Sequence, residues 1–179
     1  MGRRGSAVTE HAWVALGSNL GDRGAHLLAA CRRLAAAPGV ASLVRGPFRE
    51  TPALVLPGTP PQPAYLNAAA RLETTLGPAA LLDRLQAVEA ALGRPAGSGR
   101  GVWAPRTVDL DLLFHGRSAA SDARLTLPHP RWARRAFVLL PILDVEPGFV
   151  SPEPRPRAAG RLLRGLWGAT SAASTPPPA

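Results

Sequence analysis

The sequence predicts an α+β fold, an antiparallel sheet with two helices packed on one face. Three observations carry this. Two segments repeat apolar residues at helical spacing, four others have the alternating or short apolar pattern of strands, and the order is strand, helix, strand, strand, helix, strand. With 179 residues, 46% of them hydrophobic, the chain can bury a single core. That domain is expected over residues 11–152. A flexible tail should precede it over 1–10, and a Pro- and Arg-rich extension should follow over 153–179, its closing "SAASTPPPA" disordered.

The first strand is expected in "HAWVALG", ending at Gly17. "HLLAACRRLAAAPG" follows as a helix, with Leu27, Cys31 and Leu34 on one stripe and Pro38-Gly39 as the stop. A second strand lies within "VASLVRGPFRE". The stretch "TPALVLPGTPPQPA" holds five prolines and reads as a long loop of the kind that carries function. In "YLNAAARLET", the third strand, Leu66, Ala68, Ala70 and Leu72 share one face, while Tyr65 and Asn67 share the other. Residues 78–92 form the second helix: Pro78 suits the first turn, Leu81, Leu85, Val88 and Leu92 make the apolar stripe, and Gly93 is a natural cap. The fourth strand is "RTVDLDLLF". Its period predicts Val108, Leu110, Leu112 and Phe114 on one face, with Asp109 and Asp111 on the other. This order is that of a ferredoxin-like βαββαβ sandwich. "RLTLPHPRWARRAFVLLPIL" then adds a C-terminal strand and a Pro-interrupted helix.

Composition excludes several functions. No apolar run approaches the length of a membrane span, and the N-terminus lacks the apolar stretch of a signal peptide, so a cytoplasmic protein with no membrane partner is expected. All 21 basic residues are arginine; without lysine, neither a Walker A phosphate loop nor a Schiff base can form. Cys31 is the single cysteine, which rules out an internal disulfide, and its place on the helical stripe makes it a core residue. The net charge of +9 invites a nucleic-acid reading, but much of the excess lies in the extension, at Arg155, Arg157, Arg161 and Arg164.

The two aspartates carry the chemistry. Aspartate is a poor strand former, and two carboxylates side by side repel unless a cation sits between them. Just ahead of them, residues 93–106 hold four glycines, two prolines, three arginines and one tryptophan. Arginines on a mobile loop beside a carboxylate pair suggest a lid over a metal-bound phosphate. Two rival readings fit less well. A polymerase-beta type nucleotidyltransferase needs its aspartates soon after Gly-Ser, yet Gly17-Ser18 lies far upstream. A sheet-surface RNA-binding module needs exposed aromatics where this chain has Ala69, Arg71, Asp109 and Asp111.

Four segments, "VALGSNLGDR", "QPAYLNAA", "LGR…W.PRTVDLDLL" and "LTLPHPRWARRAFVLLPI", in this order and at these spacings resemble the 6-hydroxymethyl-7,8-dihydropterin pyrophosphokinases of folate biosynthesis, over about residues 12–152. The resemblance implies the ferredoxin-like fold and transfer of pyrophosphate from ATP to the hydroxymethyl group of the reduced pterin, releasing AMP. A monomer acting on these two small molecules, with no nucleic-acid partner, is expected. Asp109 and Asp111 would hold two Mg2+ ions on the triphosphate, which explains the paired charges. The family's pterin wall matches Thr51, Pro52, Leu54, Tyr65 and Asn67, with Trp103 and Phe137 as the aromatics that sandwich the ring. The adenosine side matches Gln86, Glu89, Leu112, Arg124 and Thr126. Phosphate contacts match Arg94, Arg106, His129 and Arg135, and Arg94 and Arg106 count with the aspartates as catalytic. The chain departs from the family pattern in a lid one residue longer, in Arg100 as that lid's lone mid-loop cation, in Ala104 for a glycine, and in Arg49 for an aromatic.

Overall fold

The computed structural model describes residues 8–53, 60–93 and 105–151. The chain divides after Phe149, and the fold described below belongs to the unit ending there.

β1 (Glu10–Ser18) leads into α1 (Arg23–Ala35), which the Asp22 side chain caps by accepting from the Ala25 amide. β2 (Val40–Arg45) and β3 (Arg49–Thr51) follow, then β4 (Tyr65–Thr74), α2 (Pro78–Ala91) and β5 (Asp109–His115). The second expected strand is thus realised as two segments that pair in succession along β4. Between them stands Gly46-Pro47-Phe48, and a proline has no amide to give a ladder. The main sheet runs β2-β4-β1-β5 with every pairing antiparallel, as the ferredoxin-like order requires. A small hairpin of β6 (Ala120–Ser121) and β7 (Thr126–Leu127) precedes a 3-10 turn, Trp132–Arg134, and α3 (Ala136–Val145), which runs through Pro141.

Two cores follow from the alternation. On one face, Ala12, Val14 and Leu16 of β1 and Ala68, Ala70 and Leu72 of β4 meet Leu27, Cys31 and Leu34 of α1 and Leu81, Leu85 and Val88 of α2. The other face packs Trp13, Ala69 and Phe114 against Trp132 and against Val138, Leu139 and Ile142 of α3. Burying each such large apolar side chain contributes about 1.5–3 kcal/mol.

The face expected for Phe114 is corrected here. Val14 pairs with Leu112 but Trp13 pairs with Phe114, so Leu113 is an extra residue in β5. This bulge turns Phe114 away from Leu110 and Leu112 and into the α3 core, where its ring meets Trp132 edge-on at 4.9 Å.

α2 ends as its sequence predicts, with Gly93 at φ +92° just past the last turn. Among the described residues, no helix is long and apolar enough to cross a membrane.

Candidate active site

At the Gly17 end of β1, on the face that α3 covers elsewhere, the sheet carries Tyr65 and Asn67 of β4, Ala15 and Gly17 of β1, and Asp109 and Asp111 of β5. The register puts Gly17 between Asn67 and Asp109, and Ala15 between Ala69 and Asp111. Small residues in the middle strand leave a hollow. It opens into a cavity of about 450 Å³ whose lining includes both aspartates. A side chain at Gly17 would close part of it, since a Cβ there would sit 3.2 Å from Asn67 Oδ1 and 3.5 Å from Tyr65 Cδ1.

Of the sequence-predicted site residues, Thr51, Pro52, Tyr65, Asn67, Gln86, Glu89, Arg106, Asp109, Asp111, His129, Arg135 and Phe137 line this one cavity. Leu54, Arg94 and Trp103 lie outside the described residues, as do Arg100 and Ala104. Three others are placed elsewhere. Leu112 is 4% exposed in the core beneath α1 and α2. Arg124 pairs with Asp83 on the surface, and Thr126 sits exposed in the β6–β7 hairpin, so neither lines the cavity.

The two walls differ in chemistry. On the β4 side, the Asn67 amide donates to Thr51 Oγ1 at 2.8 Å, which orients its carbonyl oxygen toward Gly17. On the β5 side, Arg106 Nη1 donates to Asp109 Oδ1 at 2.8 Å, and Arg135 Nη1 stands 3.8 Å from Asp111 Oδ2. Burial pulls the Arg106 pKa down, but the charge and hydrogen bond of Asp109 more than restore it, so the net shift is upward. Burial first, then Arg135 and Arg131, push His129 below its ordinary pKa. His129 Nδ1 accepts from the Arg131 amide at 3.2 Å, which assigns the proton to Nε2. At neutral pH His129 is therefore an uncharged donor among arginines.

Asp109 and Asp111 fit hard divalent cations, which take one or two carboxylates and complete their shell with phosphate and water. Neighbours Gly17 and Ala15 add no competing ligand and leave room for one.

Sequence reasoning missed Asn19 and Gln62. Asn19 is 1% exposed and joins three segments. Its Oδ1 accepts from the Arg106 amide at 2.8 Å, its own amide donates to the Arg106 carbonyl at 3.1 Å, and Nδ2 donates to Gln62 Oε1 at 3.3 Å. Arg131, which also lines the cavity, was missed as well; its position two residues after His129 was the signal that could have found it. Arg49, the residue in place of an aromatic, holds Asp144 of α3 through Nη2 at 2.6 Å.

A family model described as 7,8-dihydro-6-hydroxymethylpterin-pyrophosphokinase matches residues 13–147. The chain is 40% identical to the 2-amino-4-hydroxy-6-hydroxymethyldihydropteridine pyrophosphokinase of Methylorubrum extorquens, over 78% of this chain and 84% of that one. It is 36% identical to the enzyme of that name from Pseudomonas aeruginosa, covering 83% and 88%. Identity to the Haemophilus influenzae enzyme of that name is also 36%, covering 79% and 84%.

Proposed function

Because the chain belongs to the 7,8-dihydro-6-hydroxymethylpterin-pyrophosphokinase family and transfers pyrophosphate from ATP to the hydroxymethyldihydropterin in folate biosynthesis, we propose that the cavity over β1, β4 and β5 is where both substrates meet. The observation that carries this is the placement of Asp109 and Asp111 on one hollow sheet face, with the polar wall of Tyr65 and Asn67 on one side and arginines on the other.

In the reaction, the hydroxymethyl oxygen bonds to the β-phosphorus of ATP, the α,β-bridging oxygen departs with AMP, and the hydroxyl proton is lost. Little covalent work falls to the protein, so positioning and charge neutralisation dominate. Asn67 offers an amide donor and an acceptor to the pterin edge, with its rotamer held by Thr51. Phe137 supplies a flat face for the ring. Arg106 and Arg135 stand close enough to Asp109 and Asp111 to reach a phosphate held there. His129, with Nδ1 occupied by the Arg131 amide, has Nε2–H to donate to a phosphate.

Asp109 and Asp111 would hold two Mg2+ ions, which supply Lewis-acid polarisation and neutralisation of the triphosphate. Gln86 of α2 borders the nucleotide side, whereas the Glu89 carboxyl meets the Leu110 amide. Calorimetric titration with a nonhydrolysable ATP analogue tests this assignment: binding should require Mg2+ in the wild type and be lost in Asp111→Asn. Tight metal-independent binding would refute it.

A further inference from the structure

We propose that Glu89 is a positioning residue that holds β5 through the Leu110 amide and thereby sets the aim of Asp109 and Asp111. The proposal rests on the reading of these aspartates as metal ligands. Among the described residues, β5 ends the sheet order β2-β4-β1-β5 and its outer edge pairs with no strand; the His129 amide reaches it only at the Leu113 carbonyl, at 2.9 Å, beyond the aspartates. A free edge beside a reaction site would leave the strand loosely held. Here Glu89 Oε1 accepts from the Leu110 amide at 2.8 Å. Leu110 lies between the two aspartates, so turning its peptide re-aims both carboxylates.

The surroundings say the same. The other buried residues of α2, Leu81, Leu85 and Val88, are apolar, while Glu89, 6% exposed, carries a carboxyl group. Burying a carboxylate is costly unless it serves a hydrogen bond. α2 is tied to this region a second time, by the Thr107 hydroxyl donating to the Leu92 carbonyl at 2.9 Å. Beyond Leu112 the register breaks at the bulge, so residues 109–112 depend on this clamp more than a regular strand would. Loss of the acceptor should therefore act on turnover through geometry and leave nucleotide affinity largely in place.

The test compares Glu89→Gln, which keeps an acceptor, with Glu89→Met, which fills the space without one. Without substrates, the Leu110 amide should be protected from hydrogen exchange in wild type and Glu89→Gln, and should exchange about tenfold faster or more in Glu89→Met, while the β1–β4 ladder keeps its protection. In turnover, Glu89→Met should lose kcat on the order of a hundredfold with little change in KM for ATP, and Glu89→Gln should recover most of it. Should Glu89→Met fail to fold, Glu89→Gln must still retain Leu110 protection and most of kcat. The proposal is overturned if Leu110 protection survives in Glu89→Met, or if Glu89→Gln falls as far as Glu89→Met with the loss in KM for ATP. A wild type that released no AMP would sink the proposed function itself, and this inference with it; differences among variants beside an active wild type bear on Glu89 alone.

Discussion

Asn19 and Arg106 hold each other through two hydrogen bonds, one from the Arg106 amide to Asn19 Oδ1 at 2.8 Å and one from the Asn19 amide to the Arg106 carbonyl at 3.1 Å. The end of β1 thus fixes the residue whose guanidinium holds Asp109. Asn19→Ala should lower kcat by re-aiming Arg106. In the Arg106→Ala background the same substitution should cost little more, because residues acting in one network are not additive. Fully additive losses would mean that Asn19 acts by another route.

Asp111→Ala should reduce transfer on the order of a thousandfold or more, since the lost carboxylate serves the charge on the triphosphate. Its melting temperature should change little, because relief of repulsion with Asp109 offsets the lost attraction to Arg135, 3.8 Å away. Near-normal turnover in this variant would remove the metal assignment.

Much of this fold was legible because alternation and helical spacing survive in the chain. Tyr65 and Asn67 face the site and Leu66, Ala68 and Leu72 face the helices, as period two requires. Phe114 was misread for the same reason: a bulge adds one residue, and no residue type at Leu113 announces it. Asn19 was invisible because a polar residue just past a strand belongs to no period, and its partners lie more than forty positions away. Glu89 matched the adenosine side by resemblance, and its hold on the Leu110 amide, a partner 21 positions away, emerges only in the fold. Arg124 matched a family motif, yet its guanidinium pairs with Asp83, a partner only the fold reveals.

Asn67→Ala should weaken pterin binding about tenfold or more while leaving ATP affinity nearly unchanged, since a buried polar edge left unpaired costs about 1–3 kcal/mol. Gly17→Ala should act in the same direction, because its Cβ would press on Asn67 Oδ1 from 3.2 Å. Titrations of each ligand separately would check both variants, and a loss confined to ATP would contradict them.

Cys31 should resist thiol reagents in the folded protein. Burial pushes its thiol pKa up, against the opposing influence of Arg45 and Arg32, so less thiolate is present at any given pH. Labelling at mildly alkaline pH should be slow until denaturant exposes the helix. Equal rates for folded and unfolded chain would place Cys31 outside the core.

The most direct measurement of the central claim is product analysis of the protein mixed with ATP, Mg2+ and 6-hydroxymethyl-7,8-dihydropterin. AMP and the pterin diphosphate should appear in equal amounts, only when all three components are present, and not with Asp109→Ala. Release of ADP or inorganic phosphate instead, or AMP formation that ignores the pterin, would contradict the account.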